Sequence, residues 1–262
     1  MPSSFVSVDW LSDHLGDPTV HVVDVREAWE YQSIGHVPGA VNVPFERVRE
    51  AGGEDHGMLP GASAFAELLA EVGIETGDSI VAYDDTHGVF AARFLVTAEL
   101  YGHPPGRRHL LDGDINGWQL AEPLEHDQPA VERARYRATL DSEGPLVEMS
   151  TVREAIDDPA AVIVDTRNEQ EYLAGHIPGA VRLDWRTLLD EGSRGLMATP
   201  ELRELLADEG IDEDRRVLLY CNTARRISHT YLVLRELGYP RVGFYEGSLT
   251  EWEANGEPLE RG

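Results

Sequence analysis

Gly175-His176-Ile177-Pro178-Gly179-Ala180-Val181 has a counterpart earlier in the chain, Gly35-His36-Val37-Pro38-Gly39-Ala40-Val41. The likeness extends outward in both directions. Upstream, Asp165-Thr166-Arg167 and Glu171-Tyr172 answer Asp24-Val25-Arg26 and Glu30-Tyr31. Downstream, Gly210-Ile211 answers Gly73-Ile74 and Glu236-Leu237 answers Glu99-Leu100. Gly247 and Trp252 repeat the spacing of Gly113 and Trp118, and Glu257-Pro258-Leu259-Glu260 repeats Glu122-Pro123-Leu124-Glu125. Ordered matches of this number indicate a duplicated domain. The repeating unit is much longer than the roughly 20 to 50 residues of a solenoid repeat, so two globular domains are expected.

Each copy alternates strand and helix signals. Val20 to Val25, Ala161 to Asp165, Ile80 to Tyr83 and Val217 to Tyr220 are apolar runs rich in β-branched residues, the pattern of buried strands. Ala64 to Val72 and Pro200 to Glu209 have helical patterning and stop at Gly73 and Gly210. Alternation of this kind predicts an α/β fold, each domain a mostly parallel sheet with helices on both faces. The expected division is residues 1–126, a polar linker over 127–147 with Pro129 and Pro145, and residues 148–262. The alternation Arg133-Ala134-Arg135-Tyr136-Arg137-Ala138 reads as a short strand or as an extended arm crossing between the domains.

The chain has 262 residues, 42% of them hydrophobic, enough for two ordinary cores. It carries 48 Asp and Glu against 22 Lys and Arg, a net charge of -26, and every one of those cations is arginine. Such a surface repels nucleic-acid phosphates and anionic lipids, so neither partner is expected. The lysine-free acidity fits a halophilic chain, in which high salt screens the self-repulsion. No stretch approaches the roughly 20 apolar residues of a membrane span, and no secretory pattern opens the chain, so a cytoplasmic location is expected. The acidic runs Glu46 to Asp55 and Asp208 to Asp214 read as solvated surface.

Cys221 is the only cysteine, which excludes an intramolecular disulfide and a multi-thiolate metal site within one chain. It follows the strand Val217-Leu218-Leu219-Tyr220 and precedes Asn222-Thr223-Ala224-Arg225-Arg226 and a helical stretch from Ile227 to Leu237. Sites in open α/β sheets form at carboxyl ends of strands. A tight loop there turns backbone N–H groups inward, and the following helix adds partial positive charge. Both stabilise negative charge on sulfur, and Arg225 and Arg226 add to the effect.

The second copy resembles the catalytic domain of the rhodanese family. The residues that carry the resemblance are Tyr172-x-x-x-His176-Ile177-Pro178-Gly179-Ala180, the six-residue loop Cys221 to Arg226, and Phe244-Tyr245-Glu246-Gly247-Ser248 followed by Glu251-Trp252. Leu249 departs from the pattern, which usually has an aromatic there. The first copy resembles the inactive domain of tandem rhodaneses: Asp84 stands at the place of Cys221, and Gly88 and Val89 at the places of Arg225 and Arg226.

The resemblance implies two rhodanese-like domains and a sulfurtransferase. Cys221 is the nucleophile, and Asn222, Thr223, Ala224, Arg225 and Arg226 bind the donor. The sulfur comes from thiosulfate or 3-mercaptopyruvate and goes to a thiol, cyanide or a sulfur-accepting protein, with no cofactor and no metal. Phe90 resembles the aromatic that tandem relatives place beside the cleft. Glu171 stands where many tandem relatives have a substrate-binding arginine, which leaves the donor open.

His36 and His176 precede Pro-Gly in turns and are expected to be structural, as are Arg26 and Arg167 in their Asp-x-Arg elements. Phosphatases and arsenate reductases of the same architecture have a loop one residue longer, Cys-x5-Arg, whereas Arg226 makes Cys-x4-Arg. A non-catalytic regulatory module is the remaining alternative, and the retained Cys221 argues against it.

Overall fold

The structure is a computed structural model that describes residues 3–49 and 59–262. The acidic run Glu46 to Asp55 lies partly outside the described residues. The chain divides into two compact units. The first holds most of the chain up to Ser142 together with Glu191–Gly195, and the second most of the remainder.

The first unit contains β1 (Phe5–Val6), β2 (Val20–Asp24), β3 (Val41–Asn42), β4 (Ser79–Tyr83) and β5 (Arg108–Leu111). They form one sheet in the order β1-β5-β4-β2-β3, all neighbours parallel. Its helices are α1 (Val8–His14), α2 (Ala28–Ser33), α3 (Ala62–Glu71), α4 (Val89–Leu100) and α5 (Asp114–Ala121). One face of the sheet presents Val22, Val81, Tyr83 and Leu111 to Leu11, Ile115 and Trp118 of α1 and α5. The helix α4 packs on β4 and β5.

The second unit repeats this plan. β6 (Leu146–Val147), β7 (Ala161–Asp165), β8 (Val181–Arg182), β9 (Arg216–Tyr220) and β10 (Val242–Tyr245) form a parallel sheet in the order β6-β10-β9-β7-β8. Its helices are α6 (Met149–Ala155), α7 (Glu169–Ala174), α8 (Thr199–Asp208), α9 (Arg226–Glu236) and α10 (Ser248–Ala254).

The shared sequence signals have shared physical jobs. Gly73 and Gly210 sit at φ +78° and +70°, a left-handed conformation open to glycine at little cost. There the amides of Ile74 and Ile211 donate to the carbonyls of Leu69 and Leu206, the six-to-one bond that closes a helix C-terminus. The repeated Glu-Pro-Leu-Glu also has a function. Glu125 and Glu260 exchange backbone bonds with His36 and His176, and their carboxylates accept from the amides of Gly39 and Gly179. Trp118 and Trp252 donate their indole N–H to the carbonyls of Pro123 and Pro258.

Arg133 to Ala138 forms no strand. The segment runs extended along the first unit, with the Ala134 amide donating to Ala70 O and the Arg137 amide to Thr76 Oγ1. Tyr136 is buried against Phe65 and His103. These are single bonds to helix and turn residues, not a ladder, so the period-two pattern reflects one anchored side chain.

No helix among the described residues is long and apolar enough to cross a membrane.

Candidate active site

β9 is the middle strand of the second sheet, and Cys221 is the residue after its end. The strand is apolar because both its faces are covered; Val217 to Tyr220 are all buried. A rigid, fully packed strand therefore delivers Cys221, itself only 1% exposed, to the carboxyl edge of the sheet.

The start of α10, which follows the neighbouring strand β10, holds the loop's first residues. Ser248 Oγ accepts from the Cys221 amide at 3.2 Å and donates to Tyr245 O at 2.9 Å. The Leu249 amide donates to Cys221 O at 3.0 Å, and Thr250 Oγ1 donates to Asn222 O at 2.8 Å. Three consecutive residues at the start of α10 thus fix the backbone of Cys221 and Asn222. Ala224, buried in the middle of the loop, has φ +57°, a left-handed conformation that costs a non-glycine residue about 1 kcal/mol or more. That turn brings the chain round to Arg225, the residue that precedes α9.

Polar side chains form a connected network beneath the loop. Asp165 and Arg167 pair through three bonds of 2.6 to 3.0 Å, and Arg167 also donates to Gly175 O at 2.6 Å. Burial opposes the charge of Arg167, but the Asp165 carboxylate outweighs it and raises its pKa. Tyr220 donates its hydroxyl to Asp165 at 2.7 Å and accepts from the Ile177 amide at 3.0 Å. Arg167 reaches Asn222 Oδ1 at 3.3 Å, and Asn222 Nδ2 donates to Glu171 Oε1 at 2.9 Å.

Glu171 then accepts a two-pronged pair from Arg226, at 2.6 and 2.8 Å. The Arg226 guanidinium holds the Glu171 carboxyl far below the usual range, at about 2, against the opposing effect of burial. Arg226 in turn has a raised pKa: burial opposes its charge, while Glu171 and then Cys221 favour it. Arg225 donates to Thr223 Oγ1 at 3.3 Å. A cavity of about 430 Å³ lies alongside, lined by Arg167, Glu171, Asn222 and Thr250 among others.

Cys221, Asn222, Thr223, Ala224, Arg225 and Arg226 therefore form one loop at the carboxyl edge of the sheet, with the cysteine buried. Of the two arginines, Arg226 is bound to the Glu171 carboxylate. Glu171 and Ser248 complete the site. The sequence marked Glu171 only as a departure and Ser248 only as part of a signature. Phe90 packs against Phe45 with ring centroids 4.7 Å apart, and its amide donates to Asp84 at 2.7 Å. His36 and His176 stack on Tyr31 and Tyr172 at 3.8 and 3.7 Å and bond the carbonyls of those same residues, the structural role expected of them.

The rhodanese-like domain model matches residues 7–121 and again 148–255. The thiosulfate sulfurtransferase of Pseudomonas aeruginosa is 33% identical over 251 residues, covering 92% of this chain and 91% of that protein. The sulfur carrier protein TtuD of Thermus thermophilus is 31% identical, covering 100% of this chain and 98% of that protein. The crystal structure of SseA from Escherichia coli, a 3-mercaptopyruvate sulfotransferase, superposes with a TM-score of 0.80 at 28% identity, covering 94% of this chain and 98% of that one.

Proposed function

The chain belongs to the rhodanese family, and from that premise we propose that it is a sulfurtransferase working through a persulfide on Cys221. The observation that carries the reading is the loop itself: one buried cysteine at the end of the central strand, followed by the loop Asn222 to Arg226 that turns into α9. The Cys221 thiolate attacks the outer sulfur of thiosulfate. An S–S bond forms to Cys221, the sulfur–sulfur bond of the donor breaks, and sulfite leaves with the electron pair. With 3-mercaptopyruvate the C–S bond breaks instead, and pyruvate leaves after its carbon takes up the thiol proton. An acceptor such as cyanide or a thiol then attacks the outer sulfur and regenerates the Cys221 thiolate. Arg225, Arg226 and the loop amides stabilise the negative charge present throughout.

The division of labour follows the duplication: residues 1–126 are a silent domain, 127–147 the linker and 148–262 the catalytic domain. Donor and acceptor are small molecules, and a protein acceptor is supported by the likeness to a sulfur carrier protein. The acidic, lysine-free composition supports a cytoplasm of high salt as the working medium.

One assay tests the reading. Thiosulfate or 3-mercaptopyruvate adds the mass of one sulfur atom to the wild-type chain, and cyanide removes it. Cys221→Ser gains no mass and gives no turnover while still folding. Persistent transfer by that variant sinks the proposal. Run from dilute to molar salt, the same assay and the thermal midpoint both rise; flat profiles reject salt adaptation.

A further inference from the structure

Glu171 is spent in a way that its position in the fold does not require. It lies in the first turn of α7, where its carboxylate accepts from the Asn168 amide while Asn168 accepts from the Glu171 amide, a capping box. Its counterpart Glu30 makes the same box with Glu27 in the first unit, where Val89 stands at the place of Arg226. The cap therefore works without an arginine partner. In the second unit the same carboxylate also takes both prongs of Arg226 and one hydrogen of Asn222.

That arrangement decides the charge a donor meets. Arg226 brings a positive charge to the loop, and Arg167 is already matched by Asp165. Glu171 cancels the charge of Arg226. It does so at close range: the Arg226 and Glu171 side chains are 22% and 27% exposed, too buried for solvent to erase the interaction and too open for it to be fixed at full strength. The planar two-pronged geometry also fixes the direction of the guanidinium, so Arg226 is not free to turn wholly toward an anion. Glu171, Asn222 and Arg167 line the cavity beside the loop, so the carboxylate borders open space next to Asn222 and is not sealed within the network.

We propose that Glu171 is a specificity-determining residue of the sulfur-transfer site: by pairing with Arg226 it lowers the positive charge offered to the donor and biases the site toward donors carrying one negative charge over donors carrying two. The proposal rests on the sulfurtransferase reading given above. Thiosulfate carries two charges and 3-mercaptopyruvate one, with its thiol protonated, so the two donors probe the effect directly.

The test uses the full chain as wild type, Glu171→Gln and Glu171→Asp, at matched ionic strength. Glutamine can keep the capping box through its one carbonyl oxygen, while it removes the charge and one of the two oxygens that accept from Arg226 and Asn222. The expected result for Glu171→Gln is a rise of about five- to tenfold in the ratio of kcat/KM for thiosulfate to that for 3-mercaptopyruvate, the change expected when one elementary charge is removed nearby at an effective dielectric of about 20 to 40. The shift appears mainly in KM for thiosulfate, and Glu171→Asp keeps the ratio near that of the wild type. A purely structural role moves both donors together. An unchanged ratio, or an equal change in Glu171→Asp, overturns the proposal. Should neither protein transfer sulfur, the functional reading fails and the charge preference is decided by binding alone. Glu171→Gln should then gain more thermal stability than wild type from sulfate, but not from pyruvate, and equal gains from sulfate overturn the proposal.

Discussion

The loops that follow β4 and β9 are the same turn filled in two ways. His87 and Ala224, at matching places, both have φ +57°, and Asp114 and Ser248 have φ +55° and +49°. The Ile115 amide donates to Asp84 O as the Leu249 amide donates to Cys221 O. In the first loop, however, the Asp84 carboxylate accepts from the amides of Thr86, Gly88, Phe90 and Ala91 at 2.7 to 2.9 Å. The first domain has put a carboxylate of its own where the second has a cysteine. Asp84 thereby marks where a loop of this shape aims its amides at a negative charge, and under the proposed function the amides at the corresponding places, Thr223, Arg225, Ile227 and Ser228, are the ones that would cradle a persulfide. The surroundings diverge to match. Glu171 faces Asn222 and Arg226, whereas Glu30 has a raised pKa, through burial and then the neighbouring Asp85 carboxylate.

The most severe way to break the comparison is to make the second loop like the first. Cys221→Asp places a carboxylate at the start of a loop that already suits one, so the protein should fold. It has no sulfur to attack with, and a loss of at least about a thousandfold in sulfur transfer is expected, with no mass gain from thiosulfate. Turnover within tenfold of the wild type would mean that the reacting group lies elsewhere.

The buried anion of the first loop carries a pH signature. Burial pushes the Asp84 carboxyl up to about 6, against the amides of Ala91, Thr86 and Gly88 and with the help of the Asp114 charge. The unfolded value is near 3.8. A folded pKa above the unfolded one means that the native state holds the proton more tightly. The associated stability is full below about pH 4 and is lost as pH rises through about 6, to a limit of about 3 kcal/mol. Asp84→Asn has no such proton. The stability difference between wild type and variant, from urea unfolding at pH 4 and pH 7, should therefore fall by that order. A difference that stays constant shows that the four amides hold the carboxylate charged throughout.

The fold was legible because duplication reports itself: the glycines that end α3 and α8, and the Glu-Pro-Leu-Glu that straps His36 and His176, recur because each copy needs the same turn chemistry. The cysteine loop was legible as a candidate because Cys221 stands between an apolar strand and a helix and is followed by Arg225 and Arg226, a setting unlike that of an ordinary buried cysteine. The Glu171–Arg226 pair was not. Its members are 55 residues apart, and only the stacking of α7 beside the loop brings them together. From the sequence, Arg225 and Arg226 looked like equals, and Glu171 looked like a missing contact, not a partner. Arg133 to Ala138 misled in the opposite direction, since alternation there comes from a single buried tyrosine on an extended arm.

Ser248 was quoted in the sequence without a role because nothing in a serine announces that its backbone will adopt a positive φ. In the fold that conformation turns Oγ toward the Cys221 amide, and the residue is fully buried. Its counterpart Asp114 does comparable work for the first loop, accepting from the His87 amide at 3.1 Å and pairing with Arg194 at 2.7 Å. Ser248→Ala removes the acceptor and leaves a buried amide unpaired, at a cost of about 1 to 3 kcal/mol in stability. Because that amide belongs to the nucleophile's own residue, the loop should also loosen where it matters, lowering kcat by roughly three- to tenfold with little change in KM. Asp114→Ala should lower stability alone if, as proposed, the first loop, which has Asp84 and no cysteine, takes no part in transfer. The comparison is sharpened if only the Ser248 variant loses kcat per folded molecule. It is broken if both variants lose it equally, because the Ser248 bond would then be no more than a strut of the fold.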